Sequence, residues 1–293
     1  MAGGVVLEWA QFGHFDSFDV YRSSAPMDAE SLPAPLVTNI KTMRYVDTSV
    51  VIGETYYYRV AAWLENDRML SQEIEAIASA NYDPYWENVV SLLHFEEDFK
   101  DETGRLWLPQ GAPAISSDEF AFGSNSLFIS GGDRNGLLGQ KSADFAISTD
   151  DFTIEMFVFC LDENDRVFIE IGTGSGWYGR FWIDRYQGKL SIAGGPSVSR
   201  WVHSGDIPLN EWVHIAACIK SNNIYGFVNG KLVGSSNVSG QLPTGDLIAG
   251  IGYVLPQANN ANMRGYIDEL RITKGVARYT ENFTPPTEPF PNG

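Results

Sequence analysis

The 293-residue chain is poor in cysteine, in basic residues and in long apolar runs. Its two cysteines, Cys160 and Cys218, each lie in or at the end of an apolar, strand-like run. That excludes a disulfide framework and leaves two buried thiols as the expected state. No apolar run approaches the roughly twenty residues that cross a bilayer, and no charged segment followed by an apolar one opens the sequence. The expectation is a soluble protein made without a secretion signal. Lys and Arg number 20 against 37 Asp and Glu, a formal charge of -17. Residues 1 to 82 hold 11 acids and 5 bases, so the excess is shared by both parts of the chain. Such a surface repels phosphate backbones and anionic lipid, which argues against nucleic acid and membrane insertion. Neutral glycans or basic protein patches are the better partners.

What the chain does have is short strands. VVLEWA from Val5, FDVYRSS from Phe18, LVTNI from Leu36, RYVDTS from Arg44, TYYYRVAAWLE from Thr55 and QEIEAIA from Gln72 are rich in β-branched and aromatic residues. Gly13, Pro26, Pro33, Pro35, Gly53 and Glu65-Asn66-Asp67 punctuate them. Tyr56, Tyr58, Val60 and Ala62 share one strand face, and with Trp9 they suggest a sandwich core. Asn81 to Trp86, with a proline after an acid, reads as a domain boundary. Beyond it come VVSLLHFEE, SLFISG, DFTIEMFVFC, RVFIEIG, RFWIDR, KLSIAG, EWVHIAACIK, NIYGFVNG and LIAGIG, strands of similar length joined by glycine-rich turns. An antiparallel sandwich of two sheets is expected. In the last strand, Gly265 to Thr273, alternation places Tyr266, Asp268, Leu270 and Ile272 on one side. An acid on that side must pair with a metal ion, backbone amides or an arginine.

Two resemblances fit these patterns. IDELRI, KGVARYT and FTPPTEPFP follow one another here, and a Trp-x-His strand, Trp212 to His214, leads to a Tyr-bearing strand ending in Asn229-Gly230. Together they resemble the laminin-G-like domains, concanavalin-A-type jelly rolls, in the form found in tailed-phage virion proteins. GETYYYRVAAW after a Tyr-x-Asp-Thr turn resembles the closing half of a fibronectin type III module, although only MAGG precedes the tryptophan-bearing strand. Either the strand that usually comes first is missing, or another chain takes its place along the exposed edge. The expected fold is all-β: a fibronectin type III-like sandwich over residues 1–82, then a concanavalin A-like jelly roll with a C-terminal tail over 83–293.

Sandwiches of the second kind include glycoside hydrolases with Glu-x-Asp-x-x-Glu on one strand. Here Glu163-Asn164-Asp165 is followed by Phe168 where the last acid should stand, and Glu170 comes two positions late, on the other face by period two. His14, His94, His203 and His214 have no nucleophile elbow beside them and no zinc spacing. No catalytic residue is assigned, and the chain is expected not to be an enzyme. Large rings in or beside the glycine-rich loops are unusual, and Trp177, Tyr178, Trp182 and Trp201 are the candidate glycan contacts, with Tyr186 and Tyr253 nearby. The plainer reading is that several rings plug the ends of the sandwich.

The laminin-G-like resemblance implies a structural calcium ion, with Glu96, Asp101 and Asp268 at the matching positions. For Asp268, capping of backbone amides or pairing with Arg271 or Arg264 is the alternative. The resemblance also implies a virion location at the tail tip, tail fibre or capsid surface. Partners would be other virion proteins and host-surface glycan, with the chain a homo-oligomer or present in multiple copies on a particle. A capsid decoration or baseplate component with only protein contacts is the second reading. A secreted adhesin or glycanase fragment is the third.

Overall fold

A computed structural model describes residues 4–78, 83–132, 134–147, 151–164, 166–173, 180–196, 199–253 and 262–292. The chain divides into two compact units, Met1–Trp86 with Pro291–Gly293, and Glu87–Phe290. Both are built of strands. Among the described residues the helical segments are the two 3-10 turns Trp86–Asn88 and Ala143–Phe145, and no helix is long and apolar enough to cross a membrane.

The first unit holds β1 (Val5–Glu8), β2 (Ser17–Ser23), β3 (Val37–Ile40), β4 (Arg44–Asp47), β5 (Thr55–Leu64), β6 (Asp67–Leu70) and β7 (Ile74–Ile77). β1 pairs with β4, and a second sheet runs β3-β2-β5-β6 with β7 also on β5. Val5, Leu7, Val20 and Tyr58 form its core, with Trp9 and Val60 packed against them. Asp47 ties the two sheets: it accepts from Tyr58 Oη at 2.9 Å and from Arg22 at 2.8 Å.

The second unit continues with β8 (Val89–Leu93), β9 (Trp107–Gln110), β10 (Ala114–Ser116), β11 (Ser126–Ser130), β12 (Gly136–Gly139), β13 (Phe152–Cys160), β14 (Arg166–Gly172) and β15 (Phe181–Tyr186). Then come β16 (Lys189–Gly194), β17 (Ser199–Asp206), β18 (Trp212–Lys220), β19 (Asn223–Val228), β20 (Lys231–Asn237), β21 (Ile248–Ile251) and β22 (Arg264–Lys274). An eight-stranded sheet runs β10-β11-β22-β13-β18-β19-β20, with β8 also on β22, and a seven-stranded sheet runs β17-β16-β15-β14-β21-β12-β9. Their inner faces share one core, to which Ile154, Met156, Val158, Ile169, Ile183, Ile192, Ile215 and Ile267 all belong.

Strand β22 departs from simple alternation. Opposite β13 the register runs Glu155↔Arg271 and then Phe157↔Asp268, so β22 carries one extra residue there. Glu269 supplies the bulge with a φ of 51°. Ile267 before the bulge and Leu270 and Ile272 after it all reach the core. Tyr266 and Asp268 turn the other way, with the Tyr266 ring 5.0 Å from Phe128 and 5.8 Å from Phe159. The expectation that Asp268 shares a face with Leu270 and Ile272 is therefore corrected, because an inserted residue flips the pleat.

The outer face of the eight-stranded sheet is closed by the segment that follows β22. Thr153 Oγ1 donates to Val276 O at 2.9 Å and accepts from Arg278 N at 2.9 Å. Phe283 N donates to Gly230 O at 2.9 Å, and Gly230, φ 72°, lies so close that a Cβ would come within 2.1 Å of Phe283 O. The tail rings pack on one another and on the sheet: Tyr279 stacks on Phe283 at 3.5 Å, Phe283 stands edge-on to Phe227 at 5.3 Å, and Phe290 lies tilted near Phe157 at 6.3 Å. Beneath them is a buried charge cluster. Glu155 Oε1 accepts from Arg271 at 2.8 and 3.0 Å, Oε2 accepts from Tyr279 Oη at 3.0 Å, and Arg278 and His214 lie 3.7 and 3.4 Å away. Burial alone would raise the Glu155 pKa. The arginines and His214 outweigh it and hold the carboxyl well below its usual range.

Glu155→Gln removes the carboxylate from this buried charge cluster, a change that costs about 3–5 kcal/mol in such settings. Because folding depresses this pKa, the stabilisation is complete above the unfolded value of about 4.3 and is lost as pH falls. Urea unfolding should show a large loss of second-unit stability for Glu155→Gln at pH 7, with the gap to the parent closing on acidification.

Candidate functional site

With one outer face closed by the tail, the other is that of the seven-stranded sheet. Across it the register aligns Arg200, Ala193, Trp182 and Glu170, and in the next row His203, Ser191, Asp184 and Val167. Alternation on β15 turns Phe181 and Ile183 into the core and leaves Trp182, Asp184 and Tyr186 outside. Trp182 packs with Val167 and Ala193 as a small cluster apart from the main core.

Two arginine–carboxylate pairs cross this face. Arg180 donates to Glu170 Oε1 at 2.7 Å with both side chains buried. Arg200 donates to Asp184 at 3.2 and 3.3 Å and also to Ser191 Oγ. Burial pushes the Asp184 pKa up, and Arg200 partly opposes it. The guanidinium of Arg200 lies 3.5 Å from the Tyr186 ring centre, and the His203 ring stands edge-on to Tyr186 at 5.3 Å. Arg200 and His203 are exposed and Tyr186 half-buried, so this end of the face is open to solvent. It offers a clamped ring, a guanidinium and an imidazole within one patch, with the buried Asp184 beneath Arg200.

The nominated aromatic residues fare unequally. Trp177 and Tyr178 lie outside the described residues. Trp182 lies on β15, in the strand read as RFWIDR, and Trp201 lies on β17 rather than in a loop; each is 8% exposed. Trp201 belongs to the core, stacked on Phe181 at 6.3 Å with Nε1 donating to Gln241 at 2.9 Å. The loop placement is corrected because β17 runs through the stretch read as irregular and carries Trp201 into the sandwich. Asp184, Arg200, Glu170 and Arg180 were not singled out together. Their one signal was alternating charge in RFWIDR, and the pairing needs β17 two strands away from β15.

The acids expected to hold calcium are engaged by protein donors. Asp101 accepts from Ser91 Oγ at 2.5 Å, Leu92 N at 3.2 Å, Thr103 N at 2.8 Å, Thr103 Oγ1 at 2.7 Å and Trp107 Nε1 at 2.9 Å. Glu96 accepts from Ser124 N and Oγ at 3.1 and 3.0 Å, resting where a Cβ on Gly123 would be. Asp268 Oδ2 caps the backbone amides of Ala121 and Phe122 at 2.8 and 3.1 Å. Among the described residues no three such groups converge, so the donor set does not fit a calcium ion that needs six to eight free oxygens. Asp268 Oδ1 is buried with no hydrogen-bond partner among the described residues. Burial raises its pKa to about 7, against the two amide bonds.

The remaining candidates are structural. Both thiols are buried and pushed up to about 12 by burial. His94 Nδ1 meets Glu269 at 2.7 Å, and His214 lies in the Glu155 cluster. Glu163 sits in the turn before β14, Asp165 lies outside the described residues, and Glu170 points to the outer face against Arg180.

A laminin-G family model, described as concanavalin A-like lectin/glucanases superfamily, matches residues 131–280, about half of the chain. No curated protein sequence matches. Among solved structures, domain 4 of AbnA, a GH43 extracellular arabinanase from Geobacillus stearothermophilus in complex with arabinotriose, superposes with a TM-score of 0.51 and 17% identity over 65% of this chain and 94% of that one. A structure of botulinum neurotoxin type C, whose cell entry is dependent upon interaction with two ganglioside molecules, gives 0.50 and 13% over 66% of this chain. The match spans about half, 49%, of the toxin chain. At these identities the likeness is one of fold.

The raised pKa of Asp268 carries a linkage consequence. The folded state holds this proton up to about pH 7 and the unfolded chain only to about 3.9, so the parent loses stability as pH rises between them. Asp268→Asn keeps an acceptor for the Ala121 and Phe122 amides and removes the charge. Its melting temperature should gain on the parent from pH 4 to pH 7 and run parallel above.

Proposed function

This chain belongs to the concanavalin A-like lectin/glucanases superfamily, and from that premise we propose that its second unit is a non-enzymatic domain that binds glycan on the outer face of the seven-stranded sheet. The observation that carries this reading is the open patch of Tyr186, Arg200 and His203, with Arg200 anchored on the buried Asp184. A ring with a polar fringe is what sugar recognition uses: C–H faces of the sugar lie on aromatic carbon, and hydroxyls exchange hydrogen bonds with guanidinium and imidazole. Glu170 and Asp184 are each neutralised by an arginine, which favours a binding role over an acid and nucleophile pair free to exchange protons. The arabinotriose complex of the arabinanase domain lends the carbohydrate assignment further support.

The wider setting is a virion. IDELRI, KGVARYT and FTPPTEPFP support a tailed-phage particle protein whose first unit, read as fibronectin type III-like, spaces or docks the second. Each aromatic contact adds only about 0.5–1.5 kcal/mol, so single sites would be weak. Copies arrayed on one particle would raise avidity by about a hundredfold or more.

On a glycan array the full chain should retain neutral oligosaccharides, and Tyr186→Ala should reduce retention at least tenfold with the melting temperature kept. Absence of any retained glycan would leave the chain a structural component. Release of reducing sugar from a retained glycan, abolished by Glu170→Gln, would make it a glycosidase.

A further inference from the structure

The patch on the outer face of the seven-stranded sheet holds a donor and an acceptor of fixed kind beside its ring. His203 Nε2 lies 3.2 Å from the backbone carbonyl oxygen of Tyr186. A carbonyl oxygen only accepts, so Nε2 carries the proton and Nδ1 of the neutral ring is left as an acceptor. Arg200 is the opposite case. Its hydrogen bonds to Asp184 and to Ser191 Oγ all leave from Nη1, and a guanidinium only donates, so Nε and Nη2 still have N–H groups to give. Both residues are exposed, and the guanidinium carbon and the imidazole ring lie within 5.3 Å of the Tyr186 ring centre.

Stacking and charge leave the selection of a sugar to these groups. The Arg200 guanidinium lies over the Tyr186 ring at 3.5 Å and covers one of its faces, so ring contact alone does not choose the ligand. The cations of the patch are already answered. Arg200 has Asp184 at 3.2 Å, and Lys189, opposite Tyr186 in the register, has Asp206 at 3.4 Å. A carboxylate brought here finds both cations paired and the lone pair of His203 Nδ1 turned against it, whereas hydroxyls can accept from one group and donate to the other.

Resting on the glycan reading of this face, we propose that its ligand is an uncharged sugar held through two hydroxyls, one accepting from Arg200 Nε or Nη2 and one donating to His203 Nδ1, and that carboxylated sugars are refused.

The test is saturation-transfer NMR on the full chain at pH 8, where an ordinary imidazole is neutral. The probes are the methyl glycosides of glucose, galactose, mannose and arabinose, their monodeoxy analogues, and glucuronic and galacturonic acids. At least one neutral glycoside should bind, and removal of either of two of its hydroxyls should weaken it about fivefold or more. His203→Phe keeps a ring against Tyr186 and removes both nitrogens, so it should erase the penalty at one of those hydroxyls and leave the penalty at the other, with the melting temperature retained. The uronic acids should bind more weakly than the parent sugars. A flat deoxy series, penalties that His203→Phe leaves unchanged, or tighter binding of a uronic acid would overturn the two-hydroxyl assignment while the glycan reading stands. No transfer to any glycoside would overturn it as well, and the array decides separately whether this chain binds glycan at all.

Discussion

A carboxylate buried on the outside of a sheet must be enclosed by other groups, and Glu155 is where the second unit meets that demand. Its partners come from different parts of the chain: Arg271 from β22, His214 from β18, and Arg278 and Tyr279 from the tail. None is close to it in sequence, so the cluster forms only when strands and tail are all in place. The bulge at Glu269 belongs to the same arrangement. A positive φ at a non-glycine residue costs about 1–3 kcal/mol and persists where neighbours fix it. Glu269 is fixed by His94 at 2.7 Å and by Phe290 N at 2.8 Å, and the extra residue sets Arg271 opposite Glu155.

That constraint assigns the two outer faces different work. On the eight-stranded sheet the polar groups are turned toward one another, and Phe283 and Phe290 cover them. On the seven-stranded sheet the charges are paired across strands, but the pairs end at Tyr186, Arg200 and His203, which reach solvent. Glycan recognition is accordingly proposed for the second face. The tail covers the first.

Much of this was legible in the sequence. Asn229-Gly230 marked a turn and has φ values of 47° and 72°; the alternation in EWVHIAACIK put Trp212, His214, Ala216 and Cys218 on one face, and the structure turns Ala216 and Cys218 to the tail and Val213 and Ile215 to the core. The all-β class and the two-sheet sandwich followed from such runs, and the concanavalin A-like jelly roll from the resemblance carried by IDELRI, KGVARYT, FTPPTEPFP and the Trp212–His214 strand. Strands with weak composition were missed: β9 contains Pro109, β12 is GLLG bounded by glycines, and β17 carries Ser, Arg, His and Gly. Missing β17 hid Arg200 from Asp184 and put Trp201 in a loop. The bulge in β22 was invisible for another reason, since nothing local in IDEL distinguishes an inserted residue from a regular strand. Tertiary pairing with β13 decides it, and with it the face on which Asp268 lies.

The most direct measurement on the central claim is hydrogen–deuterium exchange of the full chain with and without the glycan best retained on the array. The account predicts added protection in residues 181–206, spanning β15 to β17, with the tail from 276 to 290 and the facing strand β13 unchanged. Protection concentrated in the tail, or exchange there made faster by the glycan, would contradict it, because the ligand would then be using the face that the Glu155 cluster is held to close.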